Sequence, residues 1–89
     1  MVSTSINETN KAMGISIYPN PTTSTVTISL NGKLIKELKV ENILGEIIYQ
    51  STIGDFKTII DLSKESKGIY FVNITDNNNN NSTQKIVVE

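Results

Sequence analysis

β-Branched and apolar residues recur along this chain in short alternating runs, separated roughly every ten residues by turn formers, which is the rhythm of a small antiparallel β-protein. The clearest run is Thr25–Leu30. It places Val26, Ile28 and Leu30 on one face and Thr25, Thr27 and Ser29 on the other. Ahead of it, Ile15–Tyr18 ends at Pro19-Asn20-Pro21, where two missing backbone donors force a strand to stop or to lie at an edge. Behind it, Asn31-Gly32 supplies residues that tolerate positive φ and predicts a tight reversal. Leu38 and Val40 then alternate with Lys39 and Glu41, a third strand running toward Ile43 before Gly45 turns the chain.

The fourth predicted strand is Glu46–Ser51, with Ile47 and Tyr49 opposed to Ile48 and Gln50; the fifth is Phe56–Leu62. Nearly every residue of Ile69–Thr75 is a strong β-former, as a central strand requires, and Thr83–Glu89 returns as an edge strand. Residues 1–14 show neither structural period and read as a disordered linker or leader. Residues 15–89 then form one domain, an all-β, seven-stranded antiparallel Ig-like β-sandwich.

Composition agrees and narrows the chemistry. Ile, Val, Thr, Tyr and Phe dominate and Ala occurs once, the reverse of a helical choice. With 89 residues there is room for one thin core. No His and no Cys means no imidazole relay, no thiolate nucleophile, no disulfide and no His- or Cys-ligated metal. No Arg, and eight scattered Lys against nine acids, argue against a binder of the nucleic-acid backbone, which needs a concentrated basic face. No apolar run approaches the ~20 residues of a membrane-spanning helix. Met1–Ser5 has neither a basic region nor an apolar stretch, so it does not read as a secretory signal peptide; if the protein is exported, its signal is expected upstream or elsewhere.

The remaining candidate sites are weak. Asp55, Asp61 and Asp76 are oxygen ligands in type but not in the spacing of a calcium loop, and they read as solvated strand-end charges. Tyr18, Tyr49 and Tyr70 are candidates for a sugar-stacking platform, with core filling as the plainer role. Asn77–Asn81 reads as a solvated hairpin loop, and the four N-x-S/T triplets barely exceed chance in so Asn- and Thr-rich a chain. No catalytic, cofactor or metal site is expected.

One ordered set of segments carries more. Tyr18-Pro19-Asn20-Pro21 opens the folded part, followed by Val26-Thr27-Ile28, Asn42-Ile43-Leu44-Gly45-Glu46-Ile47-Ile48-Tyr49, Ile60-Asp61-Leu62-Ser63, Gly68-Ile69-Tyr70-Phe71-Val72-Asn73-Ile74 and Lys85-Ile86-Val87-Val88. In this order and spacing the chain resembles the C-terminal sorting domain of proteins exported by the type IX secretion system of Bacteroidetes. The resemblance covers nearly everything after the leader and marks Tyr18, Pro19, Asn20, Pro21, Gly45, Gly68, Tyr70, Val72, Lys85, Ile86 and Val88 as sorting-motif residues. Gly68 is expected to let the chain into its strand without a Cβ clash, and Tyr70 to bury its ring while its hydroxyl reaches a backbone group.

What the resemblance implies is a non-enzymatic label, covalently fused to an upstream cargo and monomeric. It would be carried through the periplasm to the cell surface or beyond by an outer-membrane translocon and a shuttle protein, then removed by a sortase-like peptidase cutting in or before the leader. No nucleic acid and no small-molecule substrate is implied. The hairpin of Gly68–Ile74 with Lys85–Glu89 would matter most, read by strand addition at the edge Thr83–Glu89. Members of the family commonly finish on a basic residue, where this chain has Glu89. The competing expectation is an Ig-like carbohydrate-binding or spacer module of an extracellular enzyme.

Overall fold

The alternation in the sequence is realised directly in the computed structural model, which describes residues 14–89; the predicted leader otherwise lies outside the described residues. The strands are β1 Ile15–Tyr18, β2 Thr25–Leu30, β3 Ile35–Asn42, β4 Ile47–Asp55, β5 Lys57–Asp61, β6 Gly68–Asp76 and β7 Asn81–Val88. β1, β2 and β5 form a three-stranded sheet in the order β1-β2-β5, and the rest a four-stranded sheet in the order β4-β3-β6-β7. All ladders are antiparallel. No helix occurs among the described residues. Inward positions from both sheets make one core: Val26, Ile28 and Leu30 from β2, Leu38 and Val40 from β3, Val72 and Ile74 from β6, Ile86 and Val88 from β7, closed by Ile15, Ile35, Ile60, Leu62 and Tyr70.

β6 lies between β3 and β7, so it is central, and β7 is an edge, both as its composition predicts. Three expectations need correction. Asn31-Gly32 does not close a hairpin. β2 and β3 belong to different sheets, and this segment, with Gly32 at φ 76°, carries the chain across the sandwich. The third strand starts at Ile35 rather than Leu38, because a register shift between Ile35 and Glu37 lets two apolar residues three apart both face inward.

A second shift, opposite Val40 and Glu41, reorders β4. Ile48 and Tyr49 both pack on the core, while Ile47 and Gln50 are exposed, which replaces the simple alternation expected there. β4 also runs on to Asp55. Gly54, at φ 77°, allows the turn into β5 and the opposite sheet after a single intervening residue.

The loop between β6 and β7 hides a charge that the sequence suggests is solvated. Asp76 is fully buried. One carboxylate oxygen accepts the backbone N–H groups of Asn78 at 2.9 Å and Asn80 at 2.8 Å, and the other accepts the Asn80 side-chain amide at 3.1 Å and faces Lys33 Nζ at 3.7 Å. Burial pushes the Asp76 carboxyl pKa up, but the Asn80 and Asn78 donors with the Lys33 ammonium together outweigh it and hold it below the ordinary value. Asn77–Asn80 are exposed, so the Asn tract is a solvated loop wrapped around a buried carboxylate.

Candidate functional site

The Tyr18-Pro19-Asn20-Pro21 segment does more than end a strand. Both of its X-Pro peptides are cis, and the chain leaves β1 along the outer edge of β7. There the Asn20 side chain behaves like a backbone unit: its Nδ2 donates to the Lys85 carbonyl at 2.9 Å and its Oδ1 accepts the Val87 N–H at 3.0 Å. Thr22 continues the pairing, its N–H donating to the Val87 carbonyl at 2.9 Å and its carbonyl accepting the Glu89 N–H at 2.8 Å. Thr22 itself is buried, and its hydroxyl donates to the Thr25 carbonyl and accepts the Ser24 N–H. The donors that two prolines remove are thus replaced by side-chain and parallel-bridge bonds that tie the start of the domain to its last strand.

This contact corrects the expectation of a free terminal edge. Between Lys85 and Glu89 the outward backbone groups of β7 are taken by Asn20 and Thr22. Ile86 and Val88 are core residues, not edge contacts.

At one end of the four-stranded sheet, the Asn42–Glu46 turn is built around one side chain. Asn42 Oδ1 accepts the N–H groups of Leu44 and Glu46 at 2.9 and 3.0 Å, and its amide donates to Glu46 Oε1 at 2.8 Å. Gly45, at φ 82°, supplies the left-handed residue that the turn requires. The consequence is that Ile43 and Leu44 stand out, 71% and 79% exposed. They face residues 65–70 across a shallow cleft of about 320 Å³. Ile43, Leu44 and Asn42 are the residues whose placement the sequence reading does not single out. The signal available was the Asn three residues before a Gly, bracketing two apolar residues that no strand needs.

Opposite them, Gly68 sits at φ 147° with open space where a Cβ would go. Its requirement is therefore conformational, not the avoidance of a clash. Tyr70 is buried and its hydroxyl donates to the Ser66 carbonyl, pinning the loop before β6 to the strand. Val72 is fully buried at the centre of β6.

The residues expected to form a sorting motif therefore separate into a core group (Tyr70, Val72, Ile86, Val88), glycines at positive φ (Gly45, Gly68) and a clasp (Asn20 with the Lys85 backbone, framed by Tyr18, Pro19 and Pro21). The three tyrosines form no common platform: Tyr18 ends β1, Tyr49 packs against the core from β4 and Tyr70 is inside. Among the described residues no three acidic side chains gather, and the buried one, Asp76, is spent on its own loop.

Among the described residues the surface consists of turns, a clasp and strand edges, and no group of three or more acidic side chains gathers on it. The family model of the secretion system C-terminal sorting domain matches residues 16–89, which is nearly all that the structure describes. The chain belongs to this family. Its members are non-catalytic sorting domains of the type IX secretion system, carried by secreted cargo of the Bacteroidetes type and destined for the cell surface or the extracellular space. Among curated proteins the chain is 27% identical over 82 residues to an ulvan lyase of Nonlabens ulvanivorans, covering 91% of this chain. It is 30% identical over 79 residues to an endo-acting ulvan lyase of Formosa agariphila, covering 88% of this chain. In both cases the chain spans 15% of the relative's length, so the sorting domain is a small appendage on each.

Proposed function

We propose that this sorting domain is the address label of a larger extracellular polysaccharide-degrading enzyme, which it carries through the periplasm and across the outer membrane as a folded, monomeric module. The reading that fits its surface is one in which the translocon and shuttle recognise contour and backbone rather than a reactive side chain. A sortase-like peptidase then cuts in or before residues 1–14 and frees the cargo. The observation that supports this reading is the use to which the expected motif residues are put: they build the core, supply positive-φ glycines at Gly45 and Gly68, and clasp the N-terminal segment onto β7. The ulvan lyases suggest the class of cargo, since each carries a region like this one on a far longer chain.

The test is a fusion. A fluorescent reporter with a signal peptide, followed by residues 1–89, is expressed in a type IX-competent host alongside its native cargo. Delivery of the reporter to the surface or medium with loss of the tag is expected; retention in the periplasm while native cargo still emerges would overturn the reading.

A further inference from the structure

Three of the four strand edges in this sandwich are defended. β1 is four residues long and ends at Pro19. β5 is five residues long and begins and ends on the charges of Lys57 and Asp61. β7 carries Lys85 and is covered over its last turns by Asn20 and Thr22. β4 is different: it is nine residues long, and from Ile47 to Gly54 it holds no charge and no proline. Its defences are the two register shifts against β3, and between them Tyr49–Thr52 pairs regularly and presents a plain edge.

Two observations describe what this edge offers. The Val87 N–H points away from β6 toward Asn20, which sets the phase of the ladders; followed across the sheet, it aims Tyr49 and Ser51 at β3 and leaves the backbone of Gln50 and Thr52 facing solvent. Among the described residues the Thr52 carbonyl meets the Ser51 hydroxyl at 3.3 Å. Independently, Ile48, Tyr49 and Ile53 pack on the core yet are only half-buried. An open hydrogen-bonding row thus coincides with uncovered apolar side chains on the inner face.

We infer that β4 is the docking edge for an extended segment of a partner protein, which joins the four-stranded sheet as a fifth strand. The segment that fits is uncharged and alternates: apolar side chains lie inward to cover Ile48, Tyr49 and Ile53, and small polar ones face outward beside Gln50 and Thr52. A second copy fits less well. A stable complex between folded partners needs about 800 Å² from each, and one nine-residue edge does not supply it. In the cell this inference deepens the sorting reading; in solution it stands apart from it.

The test has two arms. In solution, an eight-residue peptide of alternating threonine and valine flanked by lysines is titrated to about 1 mM into the isotope-labelled 89-residue chain. The Gln50 and Thr52 amides are expected to shift and to exchange about tenfold more slowly, the Thr83 amide to stay unchanged, and Thr52→Pro to abolish the effect. No response at Gln50 and Thr52, or a response centred on Thr83, overturns the inference. So does a concentration-dependent dimer that Thr52→Pro disperses, which would assign the edge to a second copy. In cells, Gln50→Lys and Thr52→Pro reporter fusions are expected to lose export about tenfold while melting within a few degrees of the parent. Full export of both overturns the inference; failure of the unaltered fusion to leave the periplasm overturns the sorting reading instead, and the peptide titration then decides this one alone.

Discussion

Removing the Asp76 carboxylate tests whether a buried charge holds the β6–β7 hairpin. In Asp76→Ala three hydrogen bonds at 2.8–3.1 Å and an ion pair at 3.7 Å disappear. Bonds to a charged group contribute about 1.5–3 kcal/mol each. The sum is discounted because burying the carboxylate costs free energy, and because Asn78 and Asn80 are exposed and can bond to water instead. A net loss of about 2–3 kcal/mol results, which in a domain of this size lowers Tm by about 10–20 °C.

The pH dependence carries the same signature. The folded pKa of Asp76 lies below its unfolded value, so the charge stabilises fully above the unfolded pKa, near about 4, and its contribution fades as pH falls through the folded pKa. Asp61 is also held low, by hydrogen bonds from Ser63, but it is exposed and present in both proteins, so it cancels from the comparison. Calorimetric melts of parent and variant from about pH 7 to pH 3 should therefore converge as the pH drops. Melting temperatures within about 2 °C of each other at pH 7 would refute the account.

Other perturbations separate fold from recognition. Asn20→Ala removes both bonds to β7 and should cost about 1–2 kcal/mol and speed hydrogen exchange at Val87 more than at Val72, read by exchange mass spectrometry or NMR. Tyr70→Phe deletes only the bond to the Ser66 carbonyl and should lower stability by about 1 kcal/mol in a denaturant titration, with the fold intact. Gly68→Ala meets no atom yet should cost about 1–3 kcal/mol, because its φ of 147° is strained for a residue with a Cβ; an unchanged midpoint would contradict this. Ile86→Lys places a charge in the core and should unfold the domain outright by circular dichroism, so lost export in that variant would report on folding and not on an edge.

Much of the fold was legible because period-two alternation is a local property. The bounds of Ile15–Tyr18 and Thr25–Leu30 coincide with prediction, and the central place of β6 follows from its run of β-formers. The errors fall where alternation is interrupted. Ile35 and Leu38, three apart, and the Ile47-Ile48-Tyr49 run only make sense once the register shifts are known, and a shift is a property of two strands rather than one. Asn31-Gly32 illustrates the same limit: positive φ at the Gly is local, but whether the chain then turns back or crosses to the other sheet is set by where β3 finds its neighbours.

Pattern and composition alone were enough to read a β-sandwich and its family: Ile, Val and Thr recur in short runs, and ordered segments mark the domain. Which of those residues find a neighbour depended on the folded chain. Asp76 reads as a loop charge until the hairpin folds over it, and Ile86 and Val88 read as an edge until they enter the core. Asn20 shows its use only when β7 arrives beside it, 65 residues further along the chain. The reason is physical: hydrogen-bonding capacity and apolarity are written into each residue, but whether they are satisfied depends on neighbours that the chain brings together from far apart.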